Sequence, residues 1–159
     1  MTNHPSNPLT TGRFFTAQLR LTEKGVAARA AYDEFSYENP EASCIGRPPP
    51  AAIIASNLFA MQIEINEEEE LVVIRSEFWD EERTVYMDGR AHPEDSERFL
   101  SGHSIGWWDE GALVVDTANF ANHRSPYQMG VPSGNQKHVV ERYRLNGEGT
   151  RMIVEFALE

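Results

Sequence analysis

The chain has 159 residues and a net charge of −11 at pH 7, which limits both its architecture and its partners. This length suits a single domain with a substantial hydrophobic core. Because a strongly acidic surface repels phosphate backbones, we expect no nucleic-acid partner. No apolar run approaches the roughly 20 residues that span a bilayer, so we also expect no membrane partner.

The N-terminus contains no apolar segment typical of a secretory signal peptide. The expected compartment is therefore the cytoplasm, or the periplasm if the sequence is a trimmed mature chain. Cys44 is the only cysteine, so an intrachain disulfide is excluded. A lone cysteine usually behaves as a small, inert hydrophobic residue.

Residues 1–20 contain Pro, Thr, Ser and Asn at many positions, which predicts a flexible arm before a single domain of residues 21–159. Thr22 is typical of a helix N-cap, and the apolar residues that follow at helical spacing predict a helix over residues 23–33. From residue 34 to 51 the prolines exclude a regular helix or a central strand.

From residue 60 onward apolar and polar residues alternate, which is typical of strands with one face in the core. Seven strands are predicted, over residues 60–66, 71–79, 83–87, 104–108, 112–119, 137–145 and 150–158. Most turns between them are short, which favours a mainly β fold with an antiparallel meander. Since closure removes exposed sheet edges, we expect the meander to close into a lipocalin-like barrel with an N-terminal helix. The alternative is an α+β cone in which a curved sheet wraps helices.

Two segments carry a family resemblance, YMDGRAHPEDSERFLSGHSIGWWDEGALVVDTANF and SGNQKHVVERYRL. The chain resembles a widespread bacterial family of β-rich proteins without a characterised activity, whose members contain segments such as YLDGRPHP, GHSIGRWEGDTLVVDT and HVVERFR. The resemblance begins near Leu21 and implies bacterial origin and a compact β-rich domain. Trp107 stands where the family pattern has Arg. Family members tend to continue beyond the position of Glu159 with a segment containing Cys and His.

Residues 102–120 predict a β-hairpin with Asp109-Glu110-Gly111 as its turn. Counted back from this turn, His103 and Asp116 lie at similar distances along the two strands, so we expect their side chains to be close together. A carboxylate beside an imidazole raises the histidine pKa and fixes its tautomer, which is a general acid/base arrangement if a cavity adjoins it. The alternative is a structural hydrogen bond at the base of the hairpin.

Residues 137–145 form a predicted strand with two faces, and the more apolar face also carries Glu141. We therefore expect Glu141 to lie inside the barrel. A buried carboxylate needs a partner, and the available cations are Arg75, Arg83 and Arg142. The pair would either brace the barrel or present an acid or base to a ligand.

Aromatic residues are concentrated on the predicted strands and on the long loop after residue 120. Most of them are expected in the core. A barrel of seven or eight strands is wide enough to hold one small apolar ligand, with polar groups at its mouth. The predicted ligand-binding residues are Trp79, Arg83, Tyr86, Trp107, Phe120, Arg142 and Tyr143.

Four histidines, His92, His103, His123 and His138, lack the spacing of a known metal-binding motif. The sequence also contains no nucleophile elbow and no phosphate-binding glycine loop. We therefore expect neither a metal nor another cofactor.

These observations lead to three hypotheses about function. The first is a module that binds a small hydrophobic molecule in the barrel cavity. The second is a cofactor-independent isomerase, lyase or hydratase, in which His103 is the acid/base and Asp116 orients it. In that enzyme Glu141, with an arginine, would polarise the substrate. The third is a homodimer whose interface is an exposed patch of Trp107 and Trp108.

Overall fold

The computed structural model describes residues 21–33, 35–56, 58–122, 126–128 and 131–159. The flexible arm expected over residues 1–20 lies outside these residues, and so does His123. The described helices are short: α1 spans Glu23–Ala31, α2 spans Ala51–Ile54, and two 3₁₀ helices span Pro40–Ser43 and Phe78–Asp80. In these parts of the chain, no helix has the length and apolar character needed to cross a membrane.

Helix α1 begins where the sequence predicts. The Thr22 hydroxyl accepts a hydrogen bond from the backbone N–H of Gly25 at 3.1 Å, and this satisfies one N–H that a helix start leaves unpaired. Helix α2 differs because all four of its residues are buried. Its Ile53 packs among the core side chains of the sheet.

The described residues form nine strands. They are β1 Met61–Asn66, β2 Leu71–Ser76, β3 Glu81–Tyr86, β4 His103–Asp109, β5 Ala112–Ala118, β6 Pro126–Gln128, β7 Val131–Pro132, β8 Val139–Leu145 and β9 Met152–Leu158. Seven strands make one sheet in the order β1-β2-β3-β4-β5-β8-β9, and β6 pairs separately with β7. The mainly β class is therefore confirmed.

The expected antiparallel meander is wrong at one junction, because β3 runs parallel to β4. A tight turn joins antiparallel neighbours, whereas a parallel pair needs a longer crossover. Residues 87–102 provide that crossover. The Asn119 side-chain amide anchors it by donating to the backbone carbonyls of Pro93, Glu94 and Glu97 at 3.3, 3.1 and 3.2 Å.

The seven-stranded sheet curls into a half-barrel with β1 and β9 at its two edges. Within the described residues these edges do not pair, so the expected closed barrel is not observed. The concave side, called the inner face below, carries the core of Val72, Ile74, Val85, Leu113, Val115 and Tyr143, with Ile53 packed on them. Each fully buried aliphatic side chain contributes about 1.5–3 kcal/mol relative to exposure. The convex side is called the outer face.

Candidate functional site

Two clusters of polar side chains lie on opposite faces of the sheet. Successive side chains of a strand point to opposite faces, so residues two apart share a face. The inner polar cluster consists of Glu81, Arg83, Lys137, Glu141 and Tyr143. The outer histidine cluster consists of His92, His103, Asp116 and His138.

Arg83 and Glu141 form the centre of the inner polar cluster. Glu141 is 0 % exposed, and its Oε2 lies 2.7 Å from Nη2 of Arg83. The contact is an ion pair without an aligned hydrogen bond to either carboxylate oxygen. Arg83 also donates to the hydroxyl oxygens of Thr117 and Tyr143, both at 3.2 Å. Of the three arginines considered from the sequence, Arg83 is therefore the partner that the fold brings to Glu141.

The charges of this pair change the titration of their neighbours. Burial by itself lowers the pKa of Arg83, but Glu141, Tyr143 and Glu81 together more than offset it, so the pKa is raised overall. Burial and the same negative charge raise the pKa of the Tyr143 phenol. At neutral pH the guanidinium is therefore charged and the phenol is neutral.

Glu81 and Lys137 extend the inner polar cluster with two groups that titrate near neutrality. Burial raises the pKa of Glu81 to about 7, and the nearby Arg83 opposes this shift. Burial lowers the pKa of Lys137 to about 7, against the attraction of Glu81. The Lys137 ammonium donates to the backbone carbonyl of Pro49 at 2.9 Å and lies 4.1 Å from the ring centre of Phe120.

A pocket on the inner face adjoins this cluster. It has about 240 Å³ of empty space, part of which is open to solvent. Its apolar wall includes Pro50, Ala52, Ile53, Met61 and Ile74, and its polar wall includes Ser76, Glu81, Arg83 and Glu141. The pocket thus combines a mostly apolar surface with a few convergent charged groups, which is the usual composition of a small-molecule site.

The outer histidine cluster is a chain of contacts between side chains. His103 stacks on Tyr86 with ring centres 5.1 Å apart, and its Nδ1 lies 3.1 Å from Nδ1 of His92. Asp116 Oδ1 lies 2.5 Å from Nε2 of His138 and 3.7 Å from Nε2 of His92. Burial, with the positive charges of His92 and Arg90, lowers the pKa of His103.

His103 and Asp116 belong to the same cluster, but His92 lies between them and contacts both. The register of the hairpin pairs His103 with Ala118 and pairs Asp116 with Ile105, so the two residues are offset by two positions. His138, which immediately precedes β8, lies directly beside Asp116. His103 and Asp116 both lie on the outer face, whereas the pocket lies on the inner face, so the structure does not bring this pair to the pocket.

The predicted ligand-binding residues are divided among several places. Arg83 and Tyr143 belong to the inner polar cluster, and Phe120 adjoins it through Lys137. Tyr86 and Trp107 are on the outer face, with Trp107 46 % exposed.

The last two predicted ligand-binding residues also lie away from the pocket. Arg142 contacts Asp109 at 2.5 Å on the outer face. Trp79 lies in a 3₁₀ turn with its side chain against Gly46. Of the seven predicted residues, only Arg83 lines the pocket itself.

Two residues of the inner polar cluster, Glu81 and Lys137, were missed in the sequence. Glu81 belongs to an acidic run that reads as a turn, and Lys137 stands at the start of a predicted strand. The alternation of side chains along a strand could have placed both on the inner face, because Glu81 is two residues before Arg83 and Lys137 is four residues before Glu141. β3 begins two residues earlier than predicted, and starting the strand there places Glu81 on the inner face.

Comparison with protein-family models, with curated proteins and with solved structures finds no match to this chain. The fold and site define a mainly β protein with a small pocket on the inner face of a half-barrel. The bacterial family resemblance stays a prediction. Among the described residues, no group of three or more His, Cys, Asp or Glu side chains is arranged to hold a metal ion.

Proposed function

We propose that this protein binds a small, largely apolar molecule in the pocket on the inner face of its half-barrel. The observation that carries this proposal is the pocket wall, which places the buried Arg83 and Glu141 and the partly buried Glu81 against an apolar surface. Buried ionisable groups with shifted pKa values, next to a cavity, are typical of binding and catalytic sites. In this proposal the half-barrel holds its ligand on the concave side, as lipocalin-like barrels do.

The size of the pocket limits the ligand. The 240 Å³ beside α2 include open solvent at the mouth, and the enclosed part has room for only about one water molecule. A ligand therefore rests mainly in the open mouth of the pocket, with a small group such as a single ring against the apolar wall. A steroid or a long acyl chain would extend beyond it.

The test is a set of ¹H–¹⁵N NMR titrations with isopropylbenzene and 1-phenylethanol as probes. Either probe should shift the amide signals of pocket residues such as Ile53 and Ile74. Met61→Trp should abolish these shifts, because Met61 lines the pocket and is only partly buried. Ile65→Trp is the matched control, since Ile65 lies on the same strand and is 52 % exposed. The proposal is wrong if neither probe shifts pocket residues, or if both variants respond alike.

A second candidate is a cofactor-independent isomerase, lyase or hydratase that works on a ligand in the same pocket. The observation that favours it is the pKa of Glu81, which at about 7 suits a general base at neutral pH. The test is deuterium exchange at the α-carbons of cyclohexanone in D₂O, followed by proton NMR. Exchange faster than with Glu81→Gln protein would support this candidate, and equal rates would contradict it. His103→Ala is expected to leave the rate unchanged, because His103 lies on the outer face.

A further inference from the structure

The chemical nature of the ligand's polar group can be inferred from the unpaired atoms of the inner polar cluster. The hydrogen-bond donors of this cluster, Arg83 and Lys137, have acceptors within the protein. Arg83 donates to Thr117 and Tyr143, and Lys137 donates to the Pro49 carbonyl. In the described part of the chain, no buried nitrogen of Arg83 or Lys137 lacks a hydrogen-bond partner.

By contrast, some carboxylate oxygens of the inner polar cluster accept no hydrogen bond. Oε1 of Glu81 is buried without a hydrogen-bond donor, and the influence of Ser101 on the pKa of this carboxyl group is the smallest of its causes. The Glu141 oxygens also lack an aligned donor, but Arg83 neutralises their charge at 2.7 Å. A buried acceptor without a partner costs free energy, which a donor brought by a ligand would recover.

We propose that Glu81 accepts a hydrogen bond from the ligand, so that the pocket selects small apolar molecules that carry a hydroxyl or amine group. This inference rests on the proposed function, because it concerns the same pocket. A ligand of equal shape without a donor would leave Oε1 of Glu81 unpaired. A site that forms such a hydrogen bond discriminates strongly against an analogue that lacks the group.

The selection depends on pH, because Glu81 changes from acceptor to donor when it is protonated. Its pKa of about 7 is set by burial, and the charged groups that face it are Arg83 on the same strand, Glu141 on β8 and Lys137 just before β8. Above this pH the carboxylate accepts from an alcohol or an amine. Below it the carboxyl group can donate to a carbonyl.

The experiment compares the affinities of four probes that share one shape, measured by ¹H–¹⁵N NMR titration at about pH 6 and about pH 8. They are 1-phenylethanol, 1-phenylethylamine, acetophenone and isopropylbenzene. At the higher pH the alcohol or the amine should bind at least about tenfold more tightly than isopropylbenzene. The relative affinity of acetophenone should fall as the pH rises. Whether the alcohol or the amine binds better distinguishes a neutral donor from a cationic one.

Two variants separate this inference from the proposed function. Glu81→Met should remove the advantage of the donor probes, and Glu81→Gln should remove its pH dependence. Glu82→Met is the matched control, because Glu82 is the next residue, is exposed and points to the other face. If isopropylbenzene binds as tightly as the alcohol and the amine, and Met61→Trp blocks all of them, the inference is wrong and the proposed function stands. If no probe binds, both are wrong.

Discussion

The buried pair of Arg83 and Glu141 allows a sharp prediction about stability. Glu141→Leu leaves the Arg83 guanidinium without its counter-ion, in a place where the Arg83 side chain is only 5 % exposed. Arg83→Met leaves the Glu141 carboxylate in the same situation. Breaking a buried ion pair from either side typically costs about 3–5 kcal/mol, because the remaining charge has no compensation.

The double variant should be much more stable than the sum of the two changes suggests. Replacing both members by apolar residues removes both buried charges and is often neutral or stabilising. Here the Tyr143 hydroxyl loses the guanidinium hydrogen bond as well, which costs about 1 kcal/mol. We therefore expect Arg83→Met/Glu141→Leu to lose less free energy of unfolding than either single variant.

The measurement is urea unfolding, followed by tryptophan fluorescence, of the two single variants, the double variant and the wild type. Arg142→Met is the control, because it removes a partly exposed pair with Asp109 and should cost about 1 kcal/mol or less. The reasoning is refuted if each single variant loses less than about 1 kcal/mol, or if the losses in the double variant simply add.

Three further predictions follow from other parts of the structure. In urea unfolding, Gly106→Ala should lower the free energy of unfolding by about 1–3 kcal/mol, because the new Cβ would lie 2.7 Å from the Met87 sulfur. Gly134→Ala is the control and should have little effect, because open space surrounds Gly134. The pKa of Glu81 is raised from 4.5 to about 7, so the folded protein keeps a proton that the unfolded chain releases, and stability is lost as the pH rises through this window. Relative to the wild type, Glu81→Gln should therefore gain on the order of 3 kcal/mol between pH 5 and pH 8 in urea unfolding, and a pH-independent difference would contradict this. The pKa of His103 is lowered below 6.5, so the folded protein binds this proton less readily than the unfolded chain, and stability is lost as the pH falls below 6.5. His103→Phe should therefore make the thermal unfolding temperature less sensitive to acid, while the phenylalanine ring keeps the stacking on Tyr86.

The turn of the central hairpin shows how much of the fold is encoded locally. Asp109-Glu110-Gly111 was predicted as a turn, and in the structure Glu110 and Gly111 have φ of 49° and 78°. Two successive residues with positive φ match the twist of the flanking strands, and Gly adopts that conformation without strain. The turn fixes the register, with Asp109 opposite Ala112, and so places His103 two positions away from Asp116. The turn could therefore be predicted correctly, but counting along the strands was too coarse to predict the residue pairing.

The inner position of Glu141 could also be predicted, because alternation along a strand is a local property. The same alternation excludes Arg142 as its partner, because Arg142 follows Glu141 directly and points to the other face. It does not choose between Arg75 and Arg83, which lie on other strands, and only the packing of the sheet shows that Arg83 shares the inner face with Glu141.

By itself, the sequence determined the seven strands of the main sheet, their short turns and the two faces of each strand, because these follow from side-chain period and backbone conformation. It did not indicate β6 and β7, which lie where a long loop was predicted. Only the tertiary structure decided the parallel pairing of β3 with β4, the open edges of the half-barrel and the separation of the two polar clusters. Both faces of β5 are buried at Ala112, Leu113, Val114 and Val115, so alternation in that strand carries no information about which side faces the pocket. That choice depends on contacts between residues far apart in the chain, such as the packing of Ile53 in one core with Leu113 and Val115, which no local pattern records.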